Sequence, residues 1–425
     1  MIVRISVDSL LARFVMGAIT LATFGVLVFA ALWFVIVGRL TDERLSIPYE
    51  ELKVGLQYFP NSPRLHYRIA AAEMQGANRD LLSAESHIRR AITLLPLEYT
   101  FHLLLGSILE GQGNREAAEA AYREALRLAP SYIEVHWRLA NNLVRQGKIN
   151  ESLEYFRHAT SRNLGLLPNA YDLIWNVSNG SIEAITSITS AAPKAQLTLA
   201  EFLVKQAKFT EVATLYRRID REARRVEAES TATIITALIA ANQIPLAREL
   251  WGDVMGGEEG KPPPLLWNGG FETEINPVFA QFDWMLKDND YARVALDPQN
   301  PRSGSQSLRI AFMGKDTARI DGEIKQLLLV KPGKRYRLEY QYKIRELITP
   351  MGPRIAVTDQ AAQTVVAATE PLPEGTHAWQ QGSLEFTAPA NATAVVIQIQ
   401  RIPKYSYDDP TRGYVWFDDF VLKEM

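Results

Sequence analysis

The distribution of hydrophobic and polar positions divides the chain into three parts with different periodicities. An uninterrupted apolar run comes first, from Phe14 to Val37. Helical periodicity follows over residues 45–256, and a strand-like alternation of apolar and polar residues occupies residues 265–425. We therefore predict a multidomain α plus β protein, with a single transmembrane helix, an α-solenoid of helical pairs and an antiparallel β-sandwich.

The apolar run predicts a membrane-spanning helix within an N-terminal segment, residues 1–44. The run from Phe14 to Val37 has no charged residue and would form roughly 36 Å of α-helix, enough to cross a hydrocarbon core of about 30 Å. A cleaved signal peptide is the alternative, but the run is longer than the usual apolar segment and no small-residue cleavage pattern follows it. Basic residues flank both ends of the run, so their number does not decide its orientation.

The helical part contains a repeat of about 34 residues. After a turn at Gly113, its central copy places Ala118, Tyr122, Ala125 and Pro130 in the second helix and at its end. This pattern resembles the tetratricopeptide repeat. It has small residues where two helices touch, a larger side chain four residues later and a proline at the end. The corresponding positions of the neighbouring copies are Ala84, Ile88, Ala91 and Pro96 on one side, and Ser152, Phe156 and Ala159 on the other. We predict three clear units and two or three degenerate ones within residues 45–256.

Stacked helical pairs form a curved solenoid, and the concave surface of such a solenoid binds proteins or peptides. Four residues lie on predicted first helices at positions that the core does not require: His102, His136, Arg138 and Asn142. We expect them to line a surface for a protein partner. The alternative is that they are ordinary solvated or structural positions.

Residues 257–264 are rich in glycine and proline and interrupt the helical pattern. Glycine lowers helix stability and proline lacks the amide donor that a helix needs. We therefore predict a linker between the solenoid and the β-sandwich.

Four sequence landmarks follow the linker in a fixed order. They are Trp267-Asn268-Gly269-Gly270-Phe271-Glu272, Ser303-Gly304-Ser305, Lys331-Pro332-Gly333 and Trp416-Phe417-Asp418-Asp419-Phe420. Together they resemble the galactose-binding-like jelly rolls of the family 4/9 type carbohydrate-binding modules. The resemblance covers essentially all of residues 265–425, and it implies a jelly-roll sandwich.

The same resemblance implies that the Gly-Phe-Glu opening and the Asp-Asp closing strand lie side by side and hold a structural calcium ion with the Ser-Gly loop. Carried over to this chain, Glu272 and Asp419 would supply carboxylates, and Ser303 to Ser305 would supply backbone carbonyls. Oxygen ligands of this kind suit calcium. The alternative is that these acids cap strand ends and bind no metal.

Glycan binding requires aromatic faces on which sugar rings stack, with polar groups beside them. We predict that Trp284 with its neighbour Asp283, and the pair Tyr405 and Tyr407, bind glycan, because acidic and turn-forming neighbours indicate loops at the sheet edge. Trp416 lies in a strongly apolar strand and is expected to be buried.

Composition excludes several function classes. The 425 residues include 46 Lys and Arg, 48 Asp and Glu, six His and no Cys. A net charge near zero disfavours generic nucleic-acid binding. The absence of cysteine excludes disulfides, cysteine-ligated metal centres and a thiol nucleophile. The chain also lacks the His-Glu-x-x-His, Gly-x-Ser-x-Gly and nucleotide-loop motifs, so we do not expect an enzyme.

This architecture resembles bacterial repeat proteins that accompany surface-polysaccharide polymerisation and export. It implies a non-catalytic scaffold of the cell envelope in exopolysaccharide or O-antigen assembly, whose solenoid docks a protein and whose sandwich binds glycan. We expect one span in the inner membrane and both folded domains on the periplasmic or extracellular side. The alternative is a protein-assembly factor whose sandwich is purely structural.

Overall fold

A computed structural model describes residues 10–42, 46–75, 80–256, 263–405 and 407–425. The predicted fold class is confirmed in this part of the chain: a helical repeat region precedes an antiparallel two-sheet β-sandwich. The chain divides into two compact units, Met1–Ser190 and Ala191–Met425. The division falls inside the helical region, so the last five helices belong to the same unit as the sandwich.

The first unit begins with α1, Leu10–Thr41. From Arg13 to Thr41 this helix has a mean hydropathy of 2.5, and its most apolar window is entirely unburied. Among the described residues it is the one helix that is long and apolar enough to cross a membrane. An anchor and a signal sequence both have this property.

Nine further α-helices complete the described part of the first unit. They are α2 Tyr49–Tyr58, α3 Pro63–Gln75, α4 Leu81–Leu94, α5 Tyr99–Gly111, α6 Arg115–Leu128, α7 Ile133–Arg145, α8 Ile149–Arg162, α9 Leu167–Val177 and α10 Ile182–Ser187, with a 3₁₀ turn at Leu164–Leu166. Helices α3 and α4, α5 and α6, and α7 and α8 pack as consecutive pairs. These pairs coincide with the three clear repeats.

Small residues allow the paired helices to approach each other closely. Ala118 and Ala125 of α6 are fully buried. A Cβ atom on Gly106 of α5 would lie only 2.4 Å from the ring of Tyr122, so this position requires glycine. Gly113, between the two helices, has φ +86°, which glycine adopts without strain. The residues that define the repeat are therefore those that the packing requires.

The second unit begins with five helices. They are α11 Pro193–Lys205, α12 Phe209–Arg218, α13 Arg221–Val226, α14 Ala228–Ala240 and α15 Ile244–Met255. Tyr216 of α12 is fully buried, and its hydroxyl donates to the carbonyl of Leu250 at 3.2 Å. This hydrogen bond joins α12 to α15.

Ten strands form the sandwich in the described residues. They are β1 Met285–Leu286, β2 Ala292–Asp297, β3 Ser307–Lys315, β4 Ile320–Leu329, β5 Arg335–Ile348, β6 Arg354–Asp359, β7 Val365–Ala368, β8 Gly375–Thr387, β9 Ala394–Arg401 and β10 Thr411–Glu424. One sheet has the order β1-β4-β9-β6-β7 and the other β2-β3-β10-β5-β8. Neighbouring strands are antiparallel in both sheets.

Alternate residues of the strands form the core between the sheets. Val395, Ile397 and Ile399 of β9 are fully buried, as are Val415 and Phe417 of β10. Each such side chain contributes about 1.5–3 kcal/mol relative to an exposed position.

Helix α15 packs directly against the first segment of the sandwich. The indole Nε1 of Trp251 donates to the carbonyl of Phe279 at 2.7 Å, and its ring meets Trp267 edge to face at 5.3 Å. Arg248 donates to the carbonyl of Pro264 at 2.8 Å. Most of the predicted linker, residues 257–262, lies outside the described residues.

Candidate functional site

The loop between β9 and β10 exposes two aromatic rings. Tyr405 is 63% exposed and Tyr407 is 69% exposed. At the base of the loop, Arg401 and Asp408 form a buried ion pair at 3.1 Å. The Asp408 carboxylate also accepts a hydrogen bond from the backbone amide of Lys404 at 3.0 Å. The loop therefore has a buried support while the two tyrosines face solvent, as glycan binding would require.

A shallow groove of about 710 Å³ lies on the outer face of the five-stranded sheet that contains β10. Met313, Arg412 and Tyr414 contribute to its walls. The Tyr407 hydroxyl donates to the carboxylate of Asp316 at 3.4 Å, and Asp316 directly follows β3, which carries Met313. The loop and the groove are thus neighbouring parts of one surface.

The groove depends on a glycine in β10. Gly413 has φ +112°, and a Cβ atom there would lie 2.3 Å from the carbonyl oxygen of Glu346. The pairing of β10 with β5 shifts between Arg412 and Tyr414. This irregularity lets the two strands approach closely at the point where the groove forms.

Cationic side chains cover the aromatic rings of this face. The guanidinium of Arg345 lies 4.6 Å from the ring centre of Tyr414 and 5.1 Å from that of Trp416. The ammonium of Lys343 lies 5.5 Å from the Trp416 ring. Arg412 is exposed beside them. Glu346 also lines the groove, so the face combines aromatic rings and three cationic side chains with the carboxylate of Glu346. Aromatic and cationic groups together suit anionic ligands with apolar faces.

Trp416 is fully buried, which confirms the prediction, but it does not lie between the sheets. Its neighbours Val415 and Phe417 belong to the core, so Trp416 points to the opposite face of β10. There its indole Nε1 donates to the Asp297 carboxylate at 2.7 Å, under Arg345.

The cationic side chains of this face were not predicted from the sequence. The available signal was the alternation in two strands: Tyr414 and Trp416 alternate with core residues of β10, and Lys343 and Arg345 alternate with the buried Ile344 of β5. The register pairs Trp416 with Lys343 and Tyr414 with Arg345. That register is a tertiary property, so the sequence alone did not bring these side chains together.

The prediction that Trp284 is an exposed stacking platform is wrong. Trp284 is fully buried, with its ring centre 5.2 Å from Phe271 and 5.0 Å from Phe420. Its indole Nε1 donates to the carbonyl of Asn268 at 3.1 Å. Asp288 and Asp290, which follow it in the sequence, are exposed, whereas the ring itself fills the core.

Asp283, the predicted polar companion of Trp284, is also buried and cannot reach a glycan; this prediction is wrong as well. It is only 2% exposed, and burial raises the pKa of its carboxyl to about 6. One carboxylate oxygen accepts from the backbone amide of Trp284 at 2.7 Å. The other has no hydrogen-bond partner in the described part of the chain.

Glu272 holds the Ser-Gly loop. Its carboxylate accepts from the Ser305 hydroxyl at 2.6 Å, the Ser305 amide at 2.9 Å and the Gln306 amide at 3.2 Å. These hydrogen bonds, that of the Ser305 hydroxyl foremost, lower the pKa of Glu272. Gly304 has φ +61°, and a Cβ atom there would lie 2.3 Å from the Glu272 carboxylate. The loop therefore wraps tightly around this one acid.

The two acids of the closing strand hold the same loop from the other side. The buried Asp418 accepts from the backbone amides of Arg302 at 2.8 Å and Ser303 at 3.3 Å. Asp419 accepts from the Ser303 hydroxyl at 2.6 Å. Opening segment, Ser-Gly loop and closing strand thus meet at one place.

The predicted calcium ligands, Glu272 and Asp419, both contact the Ser-Gly loop. Calcium takes six to eight oxygen ligands. Here the carboxylates of Glu272 and Asp419 accept hydrogen bonds from amide and hydroxyl donors. No group of three acidic or histidine side chains within the described ranges is placed to hold a metal. The contacts support the anchoring role of these acids, and calcium binding stays a prediction.

Of the four predicted partner-binding residues, His136 is only 7% exposed. Its Nε2 lies 2.8 Å from the carbonyl oxygen of Pro130, which can only accept, so this nitrogen carries the proton. The ring stacks on His158 of the next helix at 3.7 Å, and burial lowers the pKa of His136. His136 connects two helices of a repeat and, with His158, lines a surface pocket of about 340 Å³. Its role in partner binding stays a prediction.

Asn142 is fully buried and is therefore also absent from the exposed surface, contrary to the prediction. It donates to Glu110 at 3.4 Å and accepts from Gln146 at 2.7 Å, which links neighbouring repeats. Arg138 is exposed and pairs with Glu134 one helical turn away at 2.7 Å. Arg138 is thus accessible to a partner, and Asn142 is not.

His102 is half-buried and takes part in a contact that recurs along the repeats. In each copy a histidine ring donates to the carbonyl of a proline six residues earlier. The pairs are His66 with Pro60 at 3.0 Å, His102 with Pro96 at 2.9 Å and His136 with Pro130 at 2.8 Å. The Pro-x₅-His spacing was visible in the sequence and indicates a structural role.

Residues 99–132 match the family model of the tetratricopeptide repeat. This segment contains α5 and α6, the central repeat. No curated protein matches the chain.

Three solved structures are similar to parts of the chain. "CBM4 structure and function" is 19% identical and covers 38% of this chain and 99% of its own, with a TM-score of 0.28. "Crystal structure of MamA protein" is 19% identical and covers 37% and 83%, with a TM-score of 0.31. "Crystal structure of YrrB: a TPR protein with an unusual peptide-binding site" is 13% identical and covers 49% and 92%, with a TM-score of 0.27. Each similarity covers less than half of this chain.

Proposed function

We propose that this chain is a non-catalytic, membrane-anchored scaffold that binds a protein partner through its helical repeats and a glycan through its β-sandwich. One observation carries the glycan part: the exposed rings of Tyr405 and Tyr407 stand beside a groove that contains Tyr414 and Arg412. The repeats supply a stacked helical surface of the kind that binds proteins. Exposed residues of the first helices, such as Arg138, are available for that contact.

The chemistry of the sandwich surface favours an acidic glycan. Sugar rings present apolar C–H faces that stack on tyrosine, and Tyr405 and Tyr407 offer two such platforms. Arg345 and Arg412 present guanidinium groups on the adjoining face. Guanidinium binds carboxylate groups with paired hydrogen bonds, so uronic-acid units fit this surface better than neutral sugars.

We assign α1 as an uncleaved anchor in the inner membrane, with the repeats and the sandwich on the periplasmic or extracellular side. The reason is the proposed ligand, since envelope polysaccharides lie outside the cytoplasm. Within the envelope we assign the chain to the assembly or export of exopolysaccharide or O-antigen, on the basis of its architecture. The near-neutral composition gives no support for a nucleic-acid partner.

The glycan proposal is tested with full-length protein in lipid nanodiscs, by affinity electrophoresis through gels containing alginate, an acidic polysaccharide, or dextran, a neutral one. We expect alginate to retard the wild type more than dextran. Tyr405→Ala with Tyr407→Ala, and separately Arg412→Gln, should reduce this retardation. Tyr132→Ala is the matched control, since Tyr132 is 47% exposed but belongs to the repeats.

Equal retardation of the wild type and the Tyr405→Ala, Tyr407→Ala double variant would show that the tyrosine pair is not the glycan site. Absence of retardation by either polysaccharide would favour the second candidate function, a protein-assembly factor whose sandwich is structural. The contacts between α15 and the sandwich, such as Trp251 with Trp267, are the observation that favours this second function.

A further inference from the structure

Helix α2 folds back along the last turns of α1. Arg39 of α1 pairs with Glu51 of α2 at 3.2 Å, and Trp33 meets Phe59, the residue after α2, with ring centres 4.6 Å apart. As the residue number rises from 51 to 59, the contacted position on α1 falls from 39 to 33. The end of α2 is therefore level with Trp33, about 9 Å back along α1 from Arg39.

This contact is a packed one, so α1 is not a free tether. Leu40 is buried among Leu52, Leu65 and Ile69. Arg68 of α3 donates to the carbonyl of Leu40 at 3.0 Å. The position of α2 and α3 along the axis of α1 follows from these contacts.

The position of Trp33 within the apolar run gives the depth of this residue in the proposed bilayer. The uncharged run ends at Val37, about 6 Å beyond Trp33 along the helix. The run is roughly 36 Å long and a hydrocarbon core about 30 Å thick, so an overhang of about 3 Å remains at each end. Trp33 therefore lies close to the boundary between acyl chains and headgroups, where tryptophan and tyrosine concentrate. Phe59 and its neighbour Tyr58, which is 69% exposed, reach the same level.

The turn that follows α4 lies next to the turn between α2 and α3. Arg90, in the second half of α4, donates to Asn61 of the α2–α3 turn at 2.8 Å. Directly after α4, Leu95 is 41% exposed and Leu97 is 73% exposed. Two successive turns on one edge of the repeats thus expose apolar side chains.

Basic side chains accompany these apolar ones. Arg64 at the start of α3 and Arg90 in the second half of α4 are both exposed. Cationic residues next to a membrane surface attract anionic lipid headgroups. Apolar and basic groups on one surface are complementary to an anionic bilayer.

We propose that this membrane-facing edge, formed by Tyr58, Phe59, Leu95 and Leu97, lies in the headgroup layer of the bilayer that α1 spans. The inference rests on the proposed anchor role of α1 and names a further partner of the repeats, an anionic lipid surface. The consequence is that the first repeats are held against the membrane, which leaves their remaining surfaces for a protein partner.

The absence of cysteine from the chain permits a direct test by single-cysteine labelling. The fluorophore NBD is attached to Tyr58→Cys or Leu97→Cys in full-length protein, in nanodiscs of phosphatidylethanolamine and phosphatidylglycerol. Doxyl groups near the headgroup end of the acyl chains serve as quenchers. Leu82→Cys is the matched control, since Leu82 is 77% exposed but lies at the opposite end of α4. Leu21→Cys, inside the apolar run, reports on the anchor.

We expect doxyl lipid to quench the labels at positions 21, 58 and 97 and to leave the label at position 82 unquenched. Quenching at 21 alone would overturn the membrane-facing edge while the anchor stands. No quenching at 21 would overturn the anchor and this inference with it. If the labels at 58 and 97 are shielded from aqueous iodide but not quenched by doxyl lipid, a protein surface such as a second copy of the chain covers the edge, and the lipid assignment is wrong.

Discussion

Asp283 shows how burial changes the chemistry of a single residue. Burial raises the pKa of its carboxyl from the ordinary 3.8 to about 6. Between these two values the folded state binds more protons than the unfolded state, so stability falls as the pH rises from about 4 to about 6. The protonated carboxyl stabilises the fold at low pH, and this contribution is lost on ionisation.

We predict that Asp283→Asn removes this pH dependence and stabilises the second unit at pH 7 by at most about 3 kcal/mol, the equivalent of the pKa shift. The amide oxygen can still accept the hydrogen bond from the Trp284 backbone amide. Thermal unfolding of the full-length protein between pH 4 and pH 7 measures the effect. A variant that loses stability with rising pH as the wild type does would contradict the assignment to Asp283.

Variants of Glu272 and Asp419 distinguish two roles of these acids: anchoring the Ser-Gly loop and binding calcium. If the carboxylate only anchors the loop through Ser305, Glu272→Gln should lower stability by about 1 kcal/mol and chelation should leave the melting curve unchanged. If Glu272 and Asp419 bind calcium, calcium at 100 times its dissociation constant should stabilise the protein by about 2.7 kcal/mol. Melting curves with calcium and with EDTA, for the wild type and Asp419→Ala, distinguish the two results.

At the scale of elements, the repeat depends on small residues at the contacts between helices. Ala125 of α6 is fully buried, so Ala125→Leu should overpack the helix pair and cost about 1–3 kcal/mol. Ala120→Leu is the matched control, because Ala120 is exposed on the same helix. Both changes are measured as shifts in the thermal unfolding of the full-length protein. Equal melting temperatures for the two variants would show that Ala125 does not form the contact.

Strand β10 shows which properties of an element are local. Its apolar composition indicated a buried strand, and Val415, Trp416 and Phe417 are all buried. However, Trp416 is covered by Arg345 of β5, a residue that only the register brings beside it. Burial of a residue in a strand was therefore predictable, whereas the face it points to and the side chains that cover it were not.

At the scale of the whole molecule, the proposed anchor predicts a topology. Alkaline phosphatase fused after Met425 should be active and a green fluorescent protein at the same position dark, because the proposed topology exports the C-terminal domain. Fusions truncated after Asp8, before the apolar run, should show the reverse. Fluorescence of the full-length fusion without phosphatase activity would contradict the envelope assignment.

The sequence by itself determined the properties that depend on nearby residues: the length of the apolar helix, the period of the repeats, and the change from helical to strand periodicity. These properties follow from backbone geometry and local hydrophobicity, which a short stretch of chain already contains. Only the tertiary structure decided that Trp284 and Asn142 are buried, and that Arg345 lies over Tyr414. Their environments come from residues distant in sequence, because packing and strand register, rather than local polarity, determine which side chains solvent reaches.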